Sequence, residues 1–354
     1  MGICASSENS NSNKLKIIPD RYTQLVDVQN ALRESQLEGV NLIFAIDCTQ
    51  SNQTQGSKTF HNQSLHTIEP YRPNPYQTVI RYLGETLEPF DEDHKIPAYG
   101  FGDFFTKHKK VFNLKSTGTQ CDGFKEVIEA YNAIMPLVTL SGPTSFAPII
   151  NHSLEIIKHI GTYHILIIIT DGAVDDSGAT EAAIIEASKY PLSIVVVGVG
   201  DGPWNRMIEF DDHLPQREFD NFQFVNFNKV VETALKRNVT VEVQFAIDAL
   251  QEIPAQYQYL KKNKKLILPG TSQMNSAWEF VRNDPSAPQQ IAVNFVTDEK
   301  KDETLCCICE DFKADGVIVP CGHTICFEGK CKNSIKECHI CRQPIQTVIK
   351  YYQQ

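Results

Sequence analysis

Long hydrophobic runs are missing from this chain. No stretch of its 354 residues approaches the roughly 18 apolar residues that a membrane-spanning helix needs. No apolar leader follows Met1-Gly2, so no secretory signal is expected. Positive charge is also short. Lys and Arg number 33 against 43 Asp and Glu, and the net charge of −10 argues against wholesale nucleic-acid binding. Cysteine is scarce over most of the length, where only Cys4, Cys48 and Cys121 occur. The other eight of the 11 crowd between Cys306 and Cys341, which means disulfides or metal. Without a secretory signal a reducing compartment is expected, and metal is favoured. Neither a Ser/His/Asp triad pattern nor a phosphate-cradling glycine loop is present. Gly198-Val199-Gly200-Asp201-Gly202 follows an apolar run but lacks the full G-x-G-x-x-G order.

What is there begins with Asn41 to Asp47, an apolar run of strand length that ends in an acid. Asp47, Thr49 and Ser51 then place oxygen atoms at alternate positions, a donor set suited to a hard divalent cation. Further strands are expected over 97–102, 163–170, 192–199 and 222–227. Helices are expected over 75–87, 122–134, 147–159, 179–189 and 229–250. Strands alternating with helices predict an α/β fold: a doubly wound, mostly parallel sheet with helices on both faces. Ligands in such sheets sit beyond the carboxyl ends of the strands. Thr144, just before a helix, and Asp171, just after an apolar strand, fall at such ends. Cys48 is expected to pack into the core, and Asp175 and Asp176 to form a solvated turn. Phe219, Phe222, Phe224 and Phe227 read as core, and the histidines between 61 and 213 show no ligand spacing.

Ahead of the first strand, Tyr22, Leu25, Val26, Ala31, Leu32 and Leu37 mostly recur at three- and four-residue steps, with Val28 off the pattern; one amphipathic helix within 20–38 is expected. Met1-Gly2-Ile3-Cys4-Ala5-Ser6 fits the N-myristoylation pattern at Gly2, and Cys4 supplies a palmitoylation site. A single myristoyl chain binds membranes only marginally, so Cys4 is the second signal. Toward the other end, Cys306-x2-Cys309, Cys321-x-His323-x2-Cys326, Cys331 and Cys338-x2-Cys341 supply eight ligands, enough for two tetrahedral zinc sites. So short a segment builds little core, and metal must supply folding energy. The resulting organisation is a flexible acylated tail over 1–19, an α/β domain over 20–255, a linker over 256–302 and a zinc domain over 303–354.

The oxygen pattern resembles the metal-ion-dependent adhesion site of von Willebrand factor A domains. Its longer wording resembles the copine branch, and most of all the plant RING-type ubiquitin ligases with a copine-like domain. The resemblance rests on Ile46 to Asn52, Ser64-Leu65-His66, Asn74-Pro75-Tyr76, Pro89 to Asp93, Gly100 to Asp103, Gly142 to Pro148, Gly198 to Gly202 and Arg217 to Asn221. It implies that Asp47, Thr49, Ser51, Thr144 and Asp171 hold one Mg²⁺ (or Mn²⁺ or Ca²⁺), with a position left for an acidic side chain of a protein substrate.

The cysteine-rich end resembles a RING finger. That likeness implies interleaved zinc sites, Cys306, Cys309, Cys326 and Cys331 on one ion and Cys321, His323, Cys338 and Cys341 on the other. It also implies a ubiquitin-conjugating enzyme and ubiquitin as partners, with docking through Ile308, Arg342 and Pro344. Two positions depart from the pattern: Gly329 stands where the sixth ligand is usual, with Cys331 two residues on, and His339 stands where Pro is frequent. The expected function is an E3 ubiquitin ligase tethered at the cytoplasmic face of a membrane. The alternatives are a non-catalytic scaffold and a copine-like calcium-dependent lipid binder. Copines place tandem C2 domains before this module, and 40 residues precede Asn41 here, so the lipid binder is not expected.

Overall fold

The computed structural model describes residues 22–263, apart from positions 36, 38, 39, 88, 89, 92, 117, 119, 173, 176 and 215. In the C-terminal segment it describes 316–319, 324–325, 331, 335–336, 345 and 347–350. The chain divides into two compact units, Met1–Val293 and Asn294–Gln354.

The larger unit runs α1 (Leu25–Glu34), β1 (Asn41–Asp47), α2 (Pro75–Leu87), β2 (Lys95–Phe101), β3 (Val111–Asn113), β4 (Gln120–Asp122), α3 (Gly123–Ile134), α4 (Ala147–Ile160), β5 (His164–Thr170), α5 (Ser177–Ala187), β6 (Leu192–Gly198), α6 (Asn205–Asp212), β7 (Phe222–Asn226), α7 (Phe227–Arg237), α8 (Val241–Leu250) and α9 (Ile253–Lys262). The strands lie in the order β3-β2-β1-β5-β6-β7, with β4 also pairing to β2. From β2 through β7 neighbouring strands are parallel, while β3 and β4 run antiparallel to β2. The winding direction reverses between β1 and β5, the topological switch point where such sheets bind ligands.

β1, β5 and β6 are buried at every position, which is why their sequences read as unbroken apolar runs rather than alternating ones. Alternate side chains go to opposite faces. Leu42, Phe44 and Ile46 join Ile165, Ile167 and Ile169 on one face, under α1, α2, α3, α7 and α8. Ile43 and Ala45 join Leu166 and Ile168 on the other, under α4, α5 and α6. Each such Ile or Leu contributes roughly 1.5–3 kcal/mol through burial.

Several expectations are corrected. α1 packs through Val28 and Leu32, both buried, while Val26 is 54% exposed; Val28, set aside as off the pattern, faces the core beside Leu32. The single helix expected over 229–250 is two. Asn238 takes a left-handed conformation (φ 53°) that ends α7, and the Thr240 hydroxyl caps α8 by accepting from the Val243 N–H at 3.4 Å. Residue 255 lies inside α9, whose Ile253, Tyr257 and Leu260 are buried. Tyr257 packs against Tyr163 with ring centroids 5.2 Å apart, at the amino end of β5 and away from the ligand edge. Among the described residues no helix is long and apolar enough to cross a membrane.

In the smaller unit, β8 (Gly316–Val319), β9 (Thr324–Ile325) and β10 (Thr347–Lys350) form an antiparallel sheet in the order β10-β8-β9. The Ile345 N–H donates to the Lys336 carbonyl at 2.9 Å. Cys331 is buried at 5% exposure.

Candidate metal centre

β1 and β5 are adjacent parallel strands, so the acid ending β1 and the acid just after β5 arrive at the same sheet edge. The loop after β1 turns on its own side chains. The Asp47 Oδ1 accepts from the Thr49 N–H at 2.9 Å and from the Thr49 hydroxyl at 2.6 Å. The Thr49 and Ser51 hydroxyls are 3.0 Å apart, and Ser51 donates to the Asp171 Oδ1 at 3.0 Å. The other Asp47 oxygen accepts from the Thr170 hydroxyl at 2.5 Å. A continuous string of oxygens therefore runs from Asp47 through Thr49 and Ser51 to Asp171.

The third loop is tied in through its backbone. Ser141 bridges Thr49, and its N–H donates to the Cys48 carbonyl at 3.3 Å. The Thr144 N–H donates to the Asp175 carboxylate at 2.8 Å, and the Asp175 N–H returns to the Thr144 carbonyl at 3.0 Å. Asp175, exposed in a bend as expected, also ties the Thr144 loop to the Asp171 loop. Glycine is required twice where these loops close. Gly102 has φ +81°, and a Cβ there would fall 2.4 Å from the Thr49 methyl; a Cβ on Gly200 would fall 2.8 Å from the Asp171 carbonyl oxygen.

Asp47, Thr49, Thr144 and Asp171 are all buried. Burial first, and the neighbouring Asp47 charge second, push the Asp171 carboxyl up to about 8. Burial also raises Asp47, against the pull of the Thr170 and Thr49 hydrogen bonds. Two buried acids in one oxygen cluster repel each other unless a proton or a cation intervenes. The Asp171 Oδ2 is buried with no hydrogen-bond partner, as is the Ser145 hydroxyl on the adjoining loop. Such orphaned acceptors fit a cation held by oxygen ligands. Among the described residues no three His, Cys, Asp or Glu side chains cluster as a metal site, so the hydroxyls are integral to this donor set.

Behind the cluster stands a buried polar brace that spacing did not reveal. One His66 ring nitrogen lies 2.8 Å from the Asp47 carbonyl, the other 2.8 Å from the Tyr131 hydroxyl. Asn74 donates to that hydroxyl at 3.0 Å, and Tyr76 donates to the Asn52 side chain at 2.6 Å. Burial holds His66 neutral, with its pKa lowered to about 4. Ser64-Leu65-His66 and Asn74-Pro75-Tyr76 were visible as motifs, but only the fold brings them under Asp47. Cys48 packs as expected, buried 3.9 Å from the Met135 sulfur.

Of the other residues expected to function, Gly2, Cys4, Cys306, Ile308, Cys309, Cys321, His323, Cys326, Cys338, Cys341, Arg342 and Pro344 lie outside the described residues.

A doubly wound sheet with an oxygen cluster on the loops after β1 and β5 at its switch point defines a von Willebrand factor A-type domain. The chain matches the copine family model over residues 64–268 and the C3HC4-type zinc finger (RING finger) model over 302–348. It is 42% identical to the E3 ubiquitin-protein ligase RGLG1 of Arabidopsis thaliana, over 95% of this chain and 73% of that protein. It is 40% identical to RGLG3 of the same plant, over 97% and 99%. Copine family protein 2 of Caenorhabditis elegans is 48% identical over 68% of this chain and 3% of that protein. Among solved structures, the manganese-loaded Plasmodium vivax TRAP protein is similar at 14% identity and a TM-score of 0.35, over 56% of this chain and 72% of that one. The chain belongs to the family of RING-type E3 ubiquitin-protein ligases that carry a copine domain.

Proposed function

We propose that the A-type domain of this ligase recruits substrates through a divalent cation, and that the RING finger then directs ubiquitin onto them. The chain is a RING-type E3 ubiquitin-protein ligase, with a ubiquitin-conjugating enzyme and ubiquitin as partners and zinc in its finger. A RING finger forms no covalent intermediate. It accelerates transfer by holding the charged conjugating enzyme in a reactive geometry, which is catalysis by positioning. Ile308 and Pro344 supply apolar docking surface in this reading. Arg342 hydrogen-bonds across to conjugating enzyme and ubiquitin. Cys331 completes the first zinc site in place of the residue at 329, and its burial is consistent with that role.

At the A-type domain, Asp47 and Asp171 carry the charge while Thr49, Ser51 and Thr144 add neutral oxygens. When bound, a divalent cation supplies positive charge that attracts an incoming carboxylate. The buried, partnerless Asp171 Oδ2 carries this reading. Acylation at Gly2 and Cys4 would keep the ligase at the cytoplasmic face of a membrane.

The test uses the full chain. Mn²⁺ titration should show a site beyond the zinc sites that Asp171→Ala removes. Wild-type protein should discharge ubiquitin from a charged conjugating enzyme. Absence of discharge with several conjugating enzymes would leave the scaffold alternative standing, and Mn²⁺ binding unaffected by Asp171→Ala would remove the cation from the account.

A further inference from the structure

The turn between β2 and β3 carries residues that neither zinc nor the oxygen cluster employs. Phe104 and Phe105 are 53% and 80% exposed. They are firmly held nonetheless. The buried Asp103 carboxylate accepts from the backbone N–H groups of Phe105 at 3.2 Å and Thr106 at 2.9 Å, and from the Thr106 hydroxyl. The Lys107 N–H returns to the Asp103 carbonyl at 2.9 Å, and those of Lys109 and Lys110 return to Thr106 at 3.0 and 3.3 Å. The two phenyl rings meet edge to face at 5.4 Å, and the Lys107 ammonium lies 5.6 Å from the Phe104 ring. The Phe104 N–H donates to the Thr139 carbonyl at 2.9 Å, two residues beyond Leu137, which is 71% exposed. Aromatic rings kept in water by a braced turn and edged with charge are the mark of an interaction site.

This turn leaves the sheet beside the cation loop. Gly102 packs against Thr49, Asp103 bridges Leu140, and Ser141 bridges Thr49. Its charge runs against that of the chain. Lys107, Lys109 and Lys110 are exposed, with no acid between 104 and 110, in a protein of net charge −10.

We propose that Phe104, Phe105 and Leu137, with Lys107, Lys109 and Lys110, form a docking surface for an acidic segment of a protein partner that carries aromatic or aliphatic side chains. The inference rests on the reading of the cluster as a cation site: the segment that docks here also delivers a carboxylate to the cation. Charge complementarity selects an acidic occupant. The depth of the cluster selects a slender one, because Asp47, Thr49, Thr144 and Asp171 are each no more than 4% exposed. An anionic bilayer fits less well. Three lysines offer a membrane surface only about 1 kcal/mol each, and a flat bilayer offers no slender group to reach the buried oxygens of the cluster.

The experiment measures binding of a fluorescein-labelled peptide, aspartates alternating with phenylalanine and leucine, to the full chain in Mg²⁺. Parallel arms use the same peptide with asparagine for aspartate, and phosphatidylserine–phosphatidylcholine vesicles. The aspartate peptide should bind. Phe104→Ser/Phe105→Ser and Lys107→Glu/Lys109→Glu/Lys110→Glu should each weaken it about tenfold or more, with folding checked by thermal melting. The lysine variant should also flatten the salt dependence. Binding that needs Mg²⁺ but ignores both variants overturns the docking surface and leaves the cation site intact. Binding that needs the surface but ignores EDTA and Asp171→Ala overturns the cation site and leaves the surface intact. Vesicle binding lost in both variants, without peptide binding, assigns the surface to lipid and overturns the proposal, as does binding of neither probe.

Discussion

The two ends of this ligase differ in how their donor side chains relate to the fold. The A-type body has a complete core, with apolar side chains packed on both faces of its sheet, and its oxygen cluster sits at the rim of a structure that stands without it. The RING segment has few residues and a dense set of cysteines; its fold depends on zinc. In the body the fold assembles the oxygen donors. In the tail the ion creates the fold. Hard oxygen donors mark the first, and thiolates mark the second.

The largest expected effect breaks or confirms this contrast directly. Stripping zinc from the full chain removes folding free energy on the order of 10 kcal/mol from the tail. Ubiquitin discharge should vanish and amides within 303–354 should lose exchange protection, while the body keeps its protection. A tail that stays ordered after chelation would erase the distinction. In the same segment, Arg342→Ala should lower discharge about tenfold, roughly 1.4 kcal/mol of transition-state stabilisation, with zinc content unchanged by metal analysis.

The body offers a subtler effect. Asp171 has its carboxyl raised from 3.8 to about 8, so the folded state holds a proton that the unfolded state releases. Its contribution to stability is fully present below the unfolded value and disappears as pH climbs through the folded one. Cation-free protein should therefore lose stability between about pH 4 and 8, at up to about 1.4 kcal/mol per pH unit. Saturating Mg²⁺ should flatten the slope, and Asp171→Asn should reduce it while abolishing Mn²⁺ binding. Denaturant melts across pH measure both. Smallest is Tyr131→Phe, which removes the hydroxyl shared by His66 and Asn74. It should cost about 1 kcal/mol of body stability and weaken Mn²⁺ binding modestly, read by melting and titration.

Legibility in the sequence followed the same divide between local and distant causes. Strands buried on both faces announce themselves as apolar runs, so β1, β5 and β6 were plain, and each ran into its polar loop as expected. The oxygen residues at 47, 49, 51 and 171 were legible because they stand where those runs end. Three-residue strands such as β3 and β4 carry too few side chains for any period to register. The break between α7 and α8 hinged on one left-handed Asn238 and a capping Thr240 inside an otherwise helical pattern. α1 misled because several apolar residues crowd one short helix, and only packing against α8 and α9 selects Val28 over Val26. His66 and Asp175 act through backbone groups of loops remote in sequence, a relation that no spacing rule encodes.

The adjacency of β1 and β5 has a temporal consequence. Asp47 and Asp171 become neighbours only once the central pair of strands has closed, although more than a hundred residues of translation separate them. A nascent chain that has not yet reached residue 171 owns only one of the two acids, so the paired oxygens wait until about half of the chain has been made.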